Sequence, residues 1–124
     1  MKSFLLGCAI VTLLNAVTIP ATAGEADVLS VIITKTGVRT YTLHVAVRHD
    51  DEGWEHYADR WEVVAPDGKV LAKRTLYHPH VEEQPFTRSL NSLVIPEGIT
   101  RVRVRAHDKV HGLGGVEQEV VVPE

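Results

Sequence analysis

Residues 39–48 read Arg39-Thr-Tyr-Thr-Leu-His-Val-Ala-Val-Arg48, with an apolar side chain at every second position. Tyr41, Leu43, Val45 and Val47 share one face, and polar or small residues share the other. Successive side chains of a β-strand point to opposite faces of its sheet. The two-residue period therefore predicts a half-buried strand.

Segments of the same kind recur along the chain, separated by turn residues such as Pro66-Asp67-Gly68 and Pro96-Glu97-Gly98. No segment has helical periodicity. We predict an all-β fold: a single seven-stranded antiparallel β-sandwich, immunoglobulin/fibronectin III-like. The predicted strands are 28–35, 39–48, 59–65, 69–77, 86–95, 100–107 and 116–122, with an interruption of the fifth near Asn91-Ser92.

The first 23 residues have the composition of an export signal. Lys2 precedes the apolar run Phe4–Val17, and Ala21-Thr22-Ala23 suits cleavage after Ala23. We predict a signal peptide over 1–23 and one β-sandwich domain over 24–124, exported to the periplasm or secreted. The apolar run is short for a membrane span and no second run follows, so no span is expected in the mature chain.

Leu5-Leu6-Gly7-Cys8 resembles a lipoprotein cleavage box, but most of the apolar run follows it instead of preceding it. Soluble export is the prediction and lipid attachment is the alternative. Cys8 and Met1 are the only sulfur-containing residues, so cleavage after Ala23 removes both. A metal ion in the mature protein would then be held by imidazole, carboxylate or backbone oxygen.

The formal net charge of −3 argues against general nucleic-acid binding, which needs a basic surface. Six of the seven histidines lie in three polar segments, 49–56, 78–83 and 107–111, which follow the second, fourth and sixth predicted strands. Consecutive antiparallel strands reverse direction. The three segments are therefore predicted at one end of the sandwich and the tight turns at the other.

These segments supply the candidate metal ligands. His78 and His80 flank Pro79, which favours extended backbone and would place both rings on one side. The predicted ligands are His78, His80, His107 and His111, with His49 and His56 as further candidates. Imidazole nitrogen suits copper and zinc. The alternative interpretation is that these histidines only bond to backbone and solvent.

Other polar and aromatic residues of these segments have predicted structural roles. Asp108 is expected to accept hydrogen bonds in its loop turn, and Arg88 to pair with a loop carboxylate. Trp54, Tyr57 and Trp61 are expected to pack beneath the loops. An exposed Trp54 would instead be an anchor for a partner.

Two segments carry a resemblance. His78-Pro-His-Val-Glu-Glu-Gln-Pro-Phe-Thr-Arg-Ser-Leu90 and Ala106-His-Asp-Lys-Val-His-Gly112 resemble small exported bacterial proteins of unassigned function. The resemblance implies no activity. Ser89 and Ser92 lack a neighbouring histidine and acid signature, so no enzyme is predicted.

Two hypotheses of function follow. The first is an exported binding protein that holds a divalent transition metal, copper or zinc, at its histidine-rich end. The second is a metal-free module that uses the same loops to bind a protein or an envelope component.

Overall fold

The computed structural model describes residues 24–124. The predicted signal segment 1–23, including Cys8, lies outside the described residues. Seven strands form, and no helix occurs within 24–124. The described part accordingly offers no helix able to cross a membrane. The strands are β1 (Asp27–Gly37), β2 (Thr40–Arg48), β3 (Ala58–Val64), β4 (Val70–Thr75), β5 (Phe86–Val94), β6 (Arg101–Asp108) and β7 (Gln118–Val121).

The strands form two antiparallel sheets. One has the order β1-β2-β5 and the other the order β4-β3-β6-β7. The connections β2–β3, β4–β5 and β5–β6 therefore pass from one sheet to the other. The predicted seven-stranded antiparallel β-sandwich is confirmed.

The core lies between the two sheets and follows the predicted alternation. Along β2, Tyr41, Leu43, Val45 and Val47 are fully buried, while the intervening residues are half-buried or exposed. Trp61 of β3 is fully buried in the same apolar cluster. Burying apolar side chains of this size contributes roughly 1.5–3 kcal/mol each, and this burial fixes which face of each strand points inward.

Charged residues cover the outer face of the four-stranded sheet. Arginines of β6 pair with glutamates of the neighbouring chain segment, Arg101 with Glu119 at 3.0 Å and Arg103 with Glu117 at 3.4 Å. Glu62 also lies on this face, but Arg60 and Arg105 cover it, at 3.0 and 2.9 Å, so that only 3% of the residue is exposed.

Two local features refine the predicted strands. β5 runs through the expected interruption, but its register with β2 shifts there and Ser92 has a φ of 57°. β1 extends to Gly37, two residues beyond the predicted end at residue 35, and the turn lies at Val38 and Arg39. Arg39 has a φ of 60°, and its Nε donates to the Ile95 carbonyl oxygen at 2.9 Å.

The three long connections meet at one end of the sandwich, which we call the loop end: segments 49–57, 76–85 and 109–117. The backbone N–H of His80 donates to Asp51 Oδ2 at 2.7 Å, and that of Lys109 donates to the Tyr57 carbonyl oxygen at 3.2 Å. These bonds link the first loop to each of the others. The predicted convergence of the histidine-bearing loops is confirmed.

Candidate metal centre

Asp51 is the buried carboxylate that connects the first two loops. Its Oδ1 accepts the backbone N–H of Ala58 at 2.9 Å and lies 2.5 Å from His49 Nδ1, while Oδ2 accepts the backbone N–H of His80 at 2.7 Å. Burial acts to raise the pKa of Asp51, but the hydrogen bonds from His49, His80 and Ala58 outweigh it and hold the pKa below its usual value. The group is therefore a carboxylate at neutral pH.

His49 lies beside Asp51 and is 2% exposed. Its Nδ1 faces Asp51, and its Nε2 lies 3.2 Å from the carbonyl oxygen of Gly24. Burial acts to lower the pKa of His49, but the bond and charge of Asp51, with the Gly24 carbonyl, raise it above the usual value. Because both ring nitrogens face acceptors, the arrangement favours an imidazolium. A metal ion bound to His49 Nε2 would replace the proton on that nitrogen and its contact with the Gly24 carbonyl oxygen.

Asp108 ends β6 and is fully buried. Its Oδ1 accepts the backbone N–H groups of Val110 at 2.9 Å and of His111 at 2.8 Å, which confirms the predicted turn bonds. Burial acts to raise the pKa of Asp108, but these N–H groups hold it below its usual value. Its other oxygen, Oδ2, has no hydrogen-bond partner in the described part of the chain.

His56 lies between His49 and Asp108 and is 9% exposed. Its Nε2 is 3.2 Å from Asp108 Oδ1, yet the two are not aligned for a hydrogen bond, and within residues 24–124 this nitrogen has no other partner. The ring meets His49 edge-on at 4.8 Å between centroids and is tilted against His111 at 5.0 Å. Three imidazoles and a carboxylate thus crowd together.

His49, His56 and Asp108 form a candidate ligand group, because one ligand atom from each lies within 4.8 Å of the others. Tetrahedral zinc, with ligands at about 2.0–2.1 Å, holds its ligand atoms roughly 3.3 Å apart. The 3.2 Å distance between His56 Nε2 and Asp108 Oδ1 already matches this spacing. His49 would have to move closer. His111 lies beside this group, and its Nδ1 is 3.2 Å from Asp108 Oδ1, within hydrogen-bond distance.

His78 and His80 lie at the loop end but outside this group. Their ring centroids are 4.6 Å apart, and Nδ1 of the exposed His78 lies 3.3 Å from the Pro79 carbonyl oxygen. The buried His80 stacks on Phe86 at 4.0 Å, and its Nε2 lies 2.8 Å from Arg88 Nη2. Burial, followed by the charges of Arg88 and His78, lowers the pKa of His80. Its ring is therefore neutral, and Nε2 accepts from Arg88.

His107 points the other way from the ligand group. It lies on the outer face of the four-stranded sheet, where its Nδ1 is 2.6 Å from Asp59 Oδ1. The structure therefore does not bring His78, His80, His107 and His111 together around one point. The alternation that places His107 outside places its neighbour Asp108 inside. The inward and outward alternation of β6, continued by one residue beyond His107, would have identified Asp108 as an inward-facing residue.

Arg88 braces its loop as predicted, since its Nη1 lies 3.8 Å from Glu83 Oε1. Tyr57 and Trp61 pack beneath the loops. The prediction for Trp54 was wrong: its side chain is 63% exposed and meets Tyr57 edge-on at 5.8 Å. Trp54 lines a shallow groove together with Glu52, Gly53, Glu55, His56 and Val110.

Acid should destabilise the fold. Although burial opposes it, hydrogen bonds and charges hold the pKa values of Glu62, Asp51 and Asp108 below 4.5, 3.8 and 3.8 respectively. A carboxyl group with a depressed folded-state pKa stabilises the protein above its unfolded-state pKa, and this contribution is lost as pH falls through the folded value. We expect the free energy of unfolding, measured with urea, to fall steeply below about pH 4.

Glu62→Gln provides the control for the acid effect. It removes one of the three carboxyl groups and should therefore reduce the dependence of the unfolding free energy on pH. The raised pKa of His49 gives a pH dependence of stability opposite to that of the three carboxyl groups. Its stabilisation is complete below pH 6.5 and is lost as pH rises through the folded-state pKa. A free energy that stayed constant from pH 6 to pH 3 would contradict the assignment of these ionised groups.

The sequence of this chain is similar to that of a protein named as a putative lipoprotein. A protein of Halomicrobium mukohataei named "Putative lipoprotein" is 44% identical over 91 residues, which are 73% of this chain and 44% of the relative. The chain thus spans less than half of the relative's length. No family model matches, and no solved structure matches.

Proposed function

We propose that the protein is an exported, envelope-associated β-sandwich that binds one divalent transition-metal ion at its loop end. His49, His56 and Asp108 are the proposed ligands, and His111 is the fourth. The observation that carries the proposal is the approach of one ligand atom from each of the first three to within 4.8 Å of the others. The proposed role is binding and not catalysis.

Two orphaned atoms support this site. Asp108 Oδ2 and His56 Nε2 are buried and have no hydrogen-bond partner among the described residues. Leaving a buried polar atom unsatisfied costs about 1–3 kcal/mol, and more for a charged group. An ion coordinated by both residues would compensate for this cost and for the misaligned contact between them.

The ligand chemistry indicates copper or zinc. Imidazole suits both metals, and residues 24–124 contain neither cysteine nor methionine. Histidines that bind a metal through one nitrogen usually donate the other N–H to a carboxylate or carbonyl, which orients the ring. Asp51 is placed to do this for His49 Nδ1.

Export is supported by the composition of residues 1–23 and by the name of the similar Halomicrobium mukohataei protein. The name refers to a lipid-attached protein. It therefore also favours the alternative in which Cys8 is modified and the domain stays attached to the envelope. In both cases the loop end would lie outside the cytoplasm.

Calorimetric titration of the purified protein with Cu²⁺ and Zn²⁺ tests the proposal. We expect one ion per chain at pH 7 and weaker binding at pH 5, because protonated imidazole cannot ligate. His56→Ala should lower affinity by roughly 100-fold or more, beyond the loss typical of residues that only support a ligand. His107→Ala and His78→Ala are matched controls and should change it little. An absence of heat at both pH values would remove the proposal.

A metal-free interaction module is the second candidate, and the exposure of Trp54 favours it. Exposed tryptophans are enriched among residues that dominate binding energy at interfaces. Under this alternative, Trp54→Ala would abolish binding to an envelope or protein partner, whereas His56→Ala would not. The metal proposal predicts the opposite pattern for copper or zinc.

A further inference from the structure

The carbonyl oxygen of Gly24 contacts one residue of the candidate metal centre, His49. It lies 3.2 Å from His49 Nε2, the nitrogen that His49 would use as a ligand. Gly24 is itself buried. The backbone just before β1 therefore reaches the histidine cluster directly.

The backbone that follows Gly24 is held in place by the third loop. Val28 N–H donates to the Val116 carbonyl oxygen at 2.8 Å, and Val116 N–H donates to Asp27 Oδ1 at 2.7 Å. Gly115 passes so close to the Ala26 carbonyl group that a side chain there would overlap it. Gly24 is thus within a few residues of a fixed anchor and cannot move far from the site.

Export signal cleavage is predicted directly before this residue, after Ala23. Cleavage would convert the amide nitrogen of Gly24 into a free α-amine. Standard backbone dimensions put that nitrogen about 2.7–3.6 Å from the carbonyl oxygen of its own residue. An α-amine and the adjacent carbonyl oxygen can also bind one ion together, closing a five-membered ring.

We propose that the α-amine of Gly24, freed by export cleavage, is a ligand of the metal bound by His49, His56 and Asp108. This inference rests on the proposed function and extends it. Export would add this ligand to the histidine and carboxylate ligands already proposed, because the uncleaved chain has only an amide at this position. Imidazole, amine and carboxylate ligands form a nitrogen-and-oxygen set that favours tetragonal copper(II). Of the two metals proposed above, the inference therefore favours copper(II) over zinc.

The test compares two forms of the domain. One begins at Gly24, and the other is extended by its natural residues Thr22-Ala23, which moves the free amine two residues away. Both must give the same urea unfolding transition without metal, so that a folding defect is excluded. Cu²⁺ affinity should be roughly tenfold or more lower in the extended form. Electron paramagnetic resonance of the Cu²⁺ complex should show one nitrogen ligand fewer.

Equal affinities and equal nitrogen counts in two forms that both bind would overturn the amine ligand and leave the proposed function standing. No binding by either form would remove the proposed function as well. An intact mass of the exported protein that placed its first residue anywhere other than Gly24, including a lipidated Cys8, would also overturn the inference. His107→Ala, introduced into both forms, should leave their difference unchanged.

Discussion

Asp51→Asn is expected to lower the free energy of unfolding by about 3–5 kcal/mol, the range for breaking a buried ion pair by removing one partner. The Asp51 side chain is fully buried and holds His49, Ala58 and His80 through its two oxygens. An asparagine has one acceptor oxygen and presents an amide N–H₂ group to donors. It would also remove the carboxylate charge that stabilises the protonated form of His49 and raises its pKa.

Urea denaturation at pH 7 measures this loss. Asp50→Asn is the matched control: it makes the same chemical change at the adjacent, exposed position and should change stability by no more than about 0.5 kcal/mol. A loss below about 1 kcal/mol for Asp51→Asn would be that of an ordinary hydrogen bond. It would show that Asp51 does not hold the first two loops together.

Gly115→Ala is expected to cost about 3 kcal/mol, at the upper end of the usual range for overpacking. A Cβ at this position would overlap the Ala26 carbonyl oxygen and lie only 2.7 Å from both the Ala26 carbonyl carbon and Asp27 Oδ1. The overlap is with backbone, so no side-chain rotation relieves it. The third loop or the start of β1 must shift.

Gly37→Ala is the control for this substitution. Its Cβ would also overlap another atom, but that atom is Thr40 Oγ1, at the end of a side chain that can rotate away. The loss of stability should therefore be clearly smaller than for Gly115→Ala when both are measured by urea denaturation. Similar losses at the two glycines would show that the contact with Ala26 is not specially restrictive.

The sandwich could be predicted because its signals are local and repeated. The two-residue period of β2 reports directly which side chains enter the core, and turn residues mark where strands end. The convergence of three loops then followed from the parity of strand reversals. Neither step needs knowledge of side-chain positions within the loops.

The ligand group could not be predicted in the same way. Loop backbone has no fixed period, so the sequence did not show that His49 and His56 turn inward while His78 remains exposed. Spacing alone favoured His78 and His80, but the Arg88 guanidinium occupies the Nε2 of His80. Asp108 was assigned only a turn role, although it belongs to a strand whose alternation was clear.

The candidate ligands come from both layers of the sandwich, because His49 follows a strand of the three-stranded sheet, whereas Asp108 ends a strand of the four-stranded sheet. Residues 24–124 contain no cysteine, so no disulfide can clasp the layers together. A coordinated ion would cross-link the two sheets reversibly at the loop end. At one hundred times its dissociation constant, a ligand bound only by the native state adds about 2.7 kcal/mol of stability. Metal supply outside the cytoplasm would then set how long the domain resists unfolding and proteolysis.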